Sequence, residues 1–458
     1  MEIQKALNML AVVAACAVML VCCRDARAWP VPDTGQTKCY DNATEITCPQ
    51  PGQPYYGQDG TYSINAPSYT KLDASGAALA DSAPNWAMVR DEVTGLVWEE
   101  KHSLGGGANY SNPNDADNMY TWYDGSTGTP RLDNDTLDFI TSLNAQNYGS
   151  HNDWRLPTRI ELQSIINYSN YDPAIDTAFF PDTQSFYYWS SSPRDTVYAW
   201  FVGFEEGIVS TQGKDSAAYL RAVRGGKPSS NFIDNNDGTV TDMNTGLMWQ
   251  QATAPGTYTW KQALAYCDTT TLAGHTDWRL PTSKELHSII DNSHLDPAID
   301  TAIFPGTQAS RYWSSSTYVT SPGNAWNVNF YGGEVHNNYD KDLLGYVRSV
   351  RLGQVVTSTT TTTVPTSTTT IMSSTTTTTT GCGKICPAKQ VLGEDNPKLE
   401  NLRDFRDSKL AQSAVGRRII NIYYNNADSI NAAFERSPAL RSATRRVLEV
   451  IAPMVGEK

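Results

Sequence analysis

The chain has 458 residues, more than one hydrophobic core usually organises, so we expect two or more domains. The formal net charge of −13 is unevenly distributed: residues 29–381 carry −18, whereas residues 382–458 hold 13 Lys and Arg against 9 Asp and Glu. An acidic body repels polyanions, which excludes nucleic acid as its partner and argues against heavily sulfated sugars.

Residues 1–28 are organised like a secretory signal peptide. Lys5 supplies positive charge, residues 6–23 are almost wholly apolar, and small residues at 26 and 28 precede a cleavage site before Trp29. The alternatives are a retained membrane helix, because the apolar run is close to the length of a span, and lipidation at one of its adjacent cysteines. We therefore expect an exported protein, extracellular or on the cell surface, with the periplasm as a further compartment.

Five cysteines follow the predicted cleavage site. Cys39 with Cys48, and Cys382 with Cys386, have the spacing of disulfides in an oxidising compartment. Cys267 is left over in a helix-like run, which favours a buried small side chain over a reactive thiol. The spacing fits no four-ligand metal site, and we expect neither a metal nor a cofactor.

An internal repeat organises the body of the chain. Residues 153–192 align without a gap to residues 277–316, with 28 identities in 40 positions. Both segments contain DWRLPT, EL, DPAID, a Phe-Pro pair and YWSSS in the same order. Further matching segments flank them at 94–98 and 245–249, and at 221–224 and 348–351. A unit of this length is large enough to be an independently packed domain.

The resulting domain organisation has five parts. We assign residues 29–226 to a first module with an N-terminal extension and residues 231–353 to a second module. Residues 354–381 are uncharged and hold 16 threonines, so they cannot build a core and are predicted to be a linker. Residues 382–458 have apolar positions at helical spacing and are predicted to be a helical module.

Within each module the pattern predicts an α+β fold. Hairpin-like turns precede two helices, and β-like stretches follow YWSSS. The DWRLPT-x-x-E segment predicts a helix that starts with a capping box, and we expect its Asp and Arg to pair with each other. We assign structural roles to the eight matched side chains Asp153, Arg155, Thr158, Glu161, Asp277, Arg279, Thr282 and Glu285.

Signals for catalysis are weak. The YWSSS serines lack a GxSxG context, and the matched histidines, His151 and His275, are better explained as polar loop residues. Asp234, Asp237 and Asp242 cluster in a turn, but an isoleucine stands where an EF-hand loop needs its first ligand. The chain is therefore predicted not to be an enzyme, with a hydrolase as the weakest alternative.

Aromatic residues are the remaining functional hint. Tyr and Trp combine an apolar face with a polar edge, which suits sugar rings and protein partners. Burial in the core of a β-rich domain is the alternative. The candidate binding residues are Tyr188, Trp189, Trp200, Tyr312, Trp313 and Trp326.

DWRLPT-x-x-EL, DPAID, YWSSS and RAVRGG together resemble the C-terminal domain of the Legionella collagen-like adhesin Lcl. The resemblance covers both modules and implies an exported surface module, in one member an adhesin that binds sulfated glycans. The negative charge of residues 29–381 does not fit a sulfated glycan as the ligand of this chain. RLPT-x-x-E and the late R-x-V-R-G-G are also similar to formylglycine-generating enzymes, which implies a C-type-lectin-like fold. Their chemistry needs active-site cysteines that the modules lack.

The C-terminal segment resembles the helical module CFI-box-CTERM through LRDFRD at 402–407, Tyr423-Tyr424 and Ser437-Pro438. It departs where Cys386-Pro387-Ala388 replaces Cys-Phe-Ile. A small helical bundle is the favoured interpretation of this basic tail, and contact with an acidic membrane surface is the alternative.

The leading hypothesis is a surface adhesion protein that recognises a glycan or a protein partner. The main alternative is an assembly protein whose modules bind only one another, which would make the chain an oligomer.

Overall fold

The computed structural model describes residues 29–353 except 104, 131–133 and 227–229, together with residue 445. Residues 28–353 form one compact unit. The predicted signal peptide, the Thr-rich linker, the Cys382–Cys386 pair and, apart from residue 445, the helical tail lie outside the described residues.

Strands and short helices alternate in the same order in both copies. Ahead of the first copy lie β1 (Cys39–Tyr40) and β2 (Glu45–Ile46), and the first copy contains β3 (Tyr69–Leu72), β4 (Met88–Asp91), β5 (Val97–Glu99), α1 (Thr136–Ala145), α2 (Arg159–Ser164), β6 (Tyr187–Pro193), β7 (Tyr198–Gly203), β8 (Val209–Gly213) and β9 (Val223–Arg224). The second contains β10 (Phe232–Asp234), β11 (Thr239–Asp242), β12 (Leu247–Gln250), α3 (Trp260–Thr269), α4 (Ser283–Ser288), β13 (Arg311–Thr317), β14 (Asn324–Asn329), β15 (Glu334–Asp340) and β16 (Val350–Leu352). The α+β prediction is confirmed.

Each copy builds its own four-stranded antiparallel sheet. The strand orders are β3-β4-β5-β9 in the first copy and β10-β11-β12-β16 in the second. In both, the last strand of the copy returns to pair with the third strand of the sheet, so the closing R-x-V-R segment lies beside TGLVW or TGLMW. This return connection closes each repeat as a structural unit.

The two copies also share one sheet. Its strand order is β13-β14-β15-β8-β7-β6, and β8 joins β15 through the antiparallel pair Val209–Val335. Because β8 and β15 are equivalent strands, the two halves are related by an approximate two-fold axis through this pair. The copies are therefore fused, and the expectation of independently packed modules is wrong.

Among the described residues, one hydrophobic core cluster contains side chains from both copies, while two further clusters each belong to one copy. The shared cluster includes Ile165 of α2, Ile289 of α4 and the central Val209 and Val335, all at most 2% exposed. Neither copy encloses all of these side chains alone. Residues from both copies exclude water from the same interior, so the folding of one copy stabilises the other.

Residues 29–65, here called the N-terminal strap, precede the first copy and bind to both copies, as the bond from Tyr168 N to Thr34 O at 2.8 Å shows for the first. Gln36 Nε2 donates to Thr317 O at 2.6 Å, and Lys341 Nζ donates to Asp41 O at 2.8 Å. The predicted Cys39–Cys48 disulfide is present within the strap. Chain order assigned the strap to the first module, and its packing joins it to the second module as well.

Capping boxes start α2 and α4, as the sequence predicts. Thr158 and Glu161 exchange side-chain and backbone hydrogen bonds at the start of α2, and Thr282 and Glu285 do the same at α4. Each hydroxyl and carboxylate satisfies a helix N–H that would otherwise lack a partner. The prediction is confirmed in both copies.

Candidate functional site

The charged residues of DWRLPT form ion pairs, with partners that differ from the prediction. In the first copy Arg155 holds Glu161 in a two-point contact at 2.8 and 2.7 Å, and Asp153 binds Arg224 at 2.8 and 3.2 Å. The expected pairing of Asp153 with Arg155 is wrong. Each of the two side chains has a partner from another element instead, since Glu161 of α2 binds Arg155 and Arg224 of β9 binds Asp153.

The second copy repeats this arrangement in a more buried setting. Arg279 binds Glu285 at 2.7 and 2.5 Å, and Asp277 binds Arg351 at 2.7 and 3.0 Å. The Arg279 side chain is 5% exposed, against 36% for Arg155, because Tyr62 of the strap lies 5.2 Å from its guanidinium. The expected Asp277–Arg279 pair is corrected in the same way.

The first arginine of each closing segment is fully buried. Arg221 donates to Glu99 O and to Thr183 Oγ1, both at 2.8 Å. Arg348 donates to Gln250 O at 2.8 Å and to Thr307 Oγ1 at 2.7 Å. These guanidinium groups join distant loops to the four-stranded sheets, which is a structural role.

The serines of YWSSS are engaged in the shared sheet. Ser190 Oγ on β6 donates to Trp200 O on β7 at 2.8 Å. Ser314 Oγ on β13 donates to Trp326 O on β14 at 2.7 Å. These hydroxyls pin neighbouring strands to each other, which accounts for their recurrence in both copies without a nucleophile.

The six aromatic residues predicted to contact a ligand are buried instead. Each is at most 2% exposed, so it has no ring face to offer; they are Tyr188, Trp189, Trp200, Tyr312, Trp313 and Trp326. Two of the indoles donate to backbone carbonyls inside the protein, from Trp189 Nε1 to Tyr120 O at 3.0 Å and from Trp313 Nε1 to Tyr258 O at 2.8 Å. The structure corrects this prediction in favour of a core role.

Cys267 lies within the core of the second copy. Its side chain is fully buried, and burial raises the pKa of its thiol to about 12. A thiol with this pKa carries almost no thiolate at neutral pH and is a poor nucleophile. The interpretation as a small packing residue is confirmed.

Charged side chains also lie in the seam where the strap and both copies meet. Lys284 on α4 donates from Nζ to Ser164 O at 2.8 Å and to Asp33 O at 3.1 Å, and burial lowers its pKa to about 8. Burial raises the pKa of Asp59 to about 6, although Ser316 donates a hydrogen bond to its carboxylate. A cavity in this seam measures about 10 Å³, which is room for no more than one water molecule.

An open surface concavity runs along α3 and the loop before it. This tyrosine groove has a volume of about 460 Å³ and is lined by Thr257, Tyr258, Gln262, Ala265, Tyr266 and Thr269. The Tyr258 and Tyr266 rings are half-buried, with centroids 5.1 Å apart and planes inclined at 41°. No charged side chain lines the groove. Its volume lies in the range of small-molecule binding sites.

Hydrogen bonds fix both tyrosines. The Tyr258 hydroxyl donates to Pro255 O at 2.6 Å, and the Tyr266 hydroxyl accepts from Gln250 Nε2 at 3.0 Å. Sequence reasoning missed this pair, although Tyr266 stands beside Cys267 in the recognised helix. The sequence did contain one signal for Tyr266. Adjacent residues on a helix point in different directions, so a buried Cys267 turns the Tyr266 side chain toward solvent.

Among the described residues, no group of three or more His, Cys, Asp or Glu side chains is arranged to hold a metal ion. No helix in the same part of the chain is long and apolar enough to span a membrane.

Comparison with known families matches residues 87–224 and 238–351 to the Lcl C-terminal domain. The two matched stretches together make up more than half of the 458 residues. No curated protein matches the chain. The two matches coincide with the two copies of the structural repeat and begin after the N-terminal strap.

Proposed function

Because the chain belongs to the Lcl C-terminal domain family, we propose that it is an exported surface protein that adheres to a glycan or a partner protein through its fused pair of modules. The double family match is the observation that carries this proposal. An adhesin-type domain and a disulfide in the strap both favour an oxidising location outside the cytoplasm.

The architecture supports a binding role rather than a catalytic one. The motif residues shared by the two copies form capping boxes, ion pairs and hydrogen bonds between strands, and these structural interactions account for them without a reactive role. The Thr-rich composition of residues 354–381 predicts a spacer after the body, of the kind that displays binding modules. A hydrolase would need a nucleophile with an adjacent base, and the YWSSS serines are instead bonded to backbone carbonyls.

The charge of the body narrows the ligand class. A formal charge of −18 over residues 29–381 repels sulfated and phosphorylated polymers at long range. We therefore propose an uncharged glycan or a protein surface in place of a sulfated glycan.

A direct test uses the full exported chain on an array of neutral, sialylated and sulfated glycans, together with adhesion of cells that display it. Binding to any class, lost when residues 29–353 are deleted, supports the proposal. Absence of binding to every glycan and every cell surface contradicts it.

Self-assembly is the second candidate. The observation that favours it is the pairing of the equivalent strands β8 and β15 within the chain, where the two modules meet edge to edge. Light-scattering mass measurement separates the two functions. A stable oligomer without glycan or cell binding favours assembly, and a monomer that binds glycan favours adhesion.

The finer fold and the tail are also proposals. Each copy combines helices with antiparallel sheets, which supports the C-type-lectin-like fold implied by the RLPT-x-x-E motif. The similarity of residues 402–407 to CFI-box-CTERM supports a helical C-terminal module. Circular dichroism of a peptide of residues 382–458 would test this by measuring its helix content.

A further inference from the structure

We propose that the tyrosine groove of the second copy is the binding site for an uncharged sugar residue of a glycan. This inference rests on the proposed surface-binding function and assigns that function to a particular place on the molecule.

The chemistry of the groove wall matches a sugar ring. A pyranose presents an apolar C–H face and a rim of hydroxyls. The paired rings of Tyr258 and Tyr266, 5.1 Å between centroids, offer apolar faces for stacking. Thr257, Gln262 and Thr269 add hydroxyl and amide groups along the same concavity. Gln262 uses its carbonyl oxygen in a capping box, accepting from Thr259 N at 3.0 Å, and this fixes the side chain in place.

The absence of charge among the groove-lining residues selects the ligand. A sulfated or carboxylated sugar needs a cation to compensate its charge on leaving water. A neutral hexose or N-acetylhexosamine needs only hydrogen bonds and ring contacts, which this wall supplies. The acidic surroundings act in the same direction.

The groove is built on a rigid support. Trp260, at the start of α3, is fully buried and donates from Nε1 to Ser314 O at 2.8 Å. Tyr258 N donates to Gly345 O at 2.9 Å, and Gly345 N donates back to Tyr258 O at 2.9 Å. A preformed site loses less conformational entropy on binding than a mobile one.

The residues that line the groove have counterparts in the first copy that differ in type or in exposure. Tyr120, which matches Tyr258 in the YTW motif, is 2% exposed because it packs against Tyr110 and Phe139. Ser142 occupies the helix position of Tyr266. The motif residues that maintain the fold agree between the copies, whereas the groove residues differ, as expected of a site specific to one copy.

The neighbouring surface diverges in the same direction. Leu343 and Leu344 are 49% and 57% exposed beside Gly345, which pairs with Tyr258. The first copy has Ser216 and Ala217 at these positions. The second copy thus exposes two apolar side chains next in the chain to the strand partner of Tyr258, where the first copy has small residues.

The test blocks the groove without disturbing the core. Ala265 is exposed on α3, so Ala265→Arg places a long charged side chain across the groove while keeping a good helix former. Thr141 is exposed at the equivalent position of α1, and Thr141→Arg is the matched control. Both variants of the full chain are compared with the unaltered protein on the glycan array and by titration with the best neutral glycan.

A second pair of variants removes ring contacts. Tyr266→Ala deletes one stacking face, and Tyr198→Ala deletes a tyrosine that is 45% exposed outside the groove. We expect Ala265→Arg and Tyr266→Ala to weaken neutral-glycan binding by about tenfold or more, and both controls to leave it unchanged.

The outcomes distinguish this inference from the proposed function. Glycan binding that is unaffected by Ala265→Arg and Tyr266→Ala overturns the groove assignment and leaves adhesion standing. Binding restricted to sulfated glycans also overturns the groove assignment. So does a result in which the two groove variants lose binding to a protein partner and keep binding to glycans. Absence of binding to every glycan and every cell surface overturns both, and selective loss in the two groove variants supports both.

Discussion

Replacing Glu285 by alanine should destabilise the protein more than the equivalent replacement of Glu161. Both carboxylates cap a helix and bind the arginine of DWRLPT. The difference is the exposure of that arginine, 5% for Arg279 and 36% for Arg155. Once its partner is removed, Arg155 can be hydrated, whereas Arg279 is left as an unpaired buried charge.

The magnitudes follow from this contrast. Removal of one partner of a buried ion pair costs roughly 3–5 kcal/mol, because the remaining charge is uncompensated. For Glu161 the loss of the cap and of a partly exposed pair costs about 1–2 kcal/mol. The expected difference in the free energy of unfolding is therefore about 2 kcal/mol between the two variants.

Urea denaturation of the full chain at pH 7, followed by tryptophan fluorescence, measures both effects. Because the copies share a core and a sheet, the body should unfold in one transition that both variants shift. Equal losses in the two variants would refute the burial argument. Two transitions, each sensitive to a single variant, would refute the fused core.

The pH dependence gives a further check on the same pair. Burial opposes the Glu285 charge, but Arg279 and the cap outweigh it and hold the pKa of Glu285 below its ordinary value of 4.5. A carboxyl whose pKa is lower in the folded state than in the unfolded state stabilises the protein at pH values above the unfolded-state pKa. That stability is lost as the pH falls through the folded-state pKa. The gap between the unaltered protein and Glu285→Ala should therefore be full at pH 7 and shrink below about pH 4.

Three other predictions test the strap and the core. Burial raises the pKa of Asp59 from 3.8 to about 6, so the protonated carboxyl stabilises the folded protein below pH 4. That stability, on the order of 3 kcal/mol, is lost as the pH rises through about 6. Asp59→Asn should flatten this part of the curve of unfolding free energy against pH, and an unchanged slope would contradict the burial argument. Replacing Cys39 and Cys48 by serine should lower the free energy of unfolding by about 2.7 kcal/mol, measured by urea denaturation, because the disulfide closes a short loop. Cys267 should resist iodoacetamide at pH 8 in the native protein and react after unfolding, as mass spectrometry can show; rapid native labelling would contradict its burial.

The buried aromatics show where local pattern is ambiguous. YWSSS places Tyr and Trp next to serines, which on sequence grounds is compatible with a loop tip that binds sugar. In the structure the two copies of the motif form the two edge strands of the six-stranded sheet, and in the first copy Tyr188 and Trp189 lie on opposite faces, both covered. A strand is buried on both faces only when other layers pack on each side, and those layers come from distant parts of the chain.

The ion-pair partners show the same limit. Glu161 lies six residues from Arg155, and its capping role was readable from the Thr-x-x-Glu spacing. Arg224 is 71 residues from Asp153, and only the return of β9 to the sheet brings the two together. Sequence spacing contains no information about which distant strand returns.

The sequence by itself determined the repeat, the α+β class, the helix caps of α2 and α4, the Cys39–Cys48 bridge and the family. Each of these depends on residues close in the chain or on direct comparison of two segments. Only the tertiary structure decided that the copies share one core, that the strap crosses to the second copy, and that Tyr258 and Tyr266 line a groove. These features depend on burial, which is a property of surfaces brought together from remote segments and has no local signature.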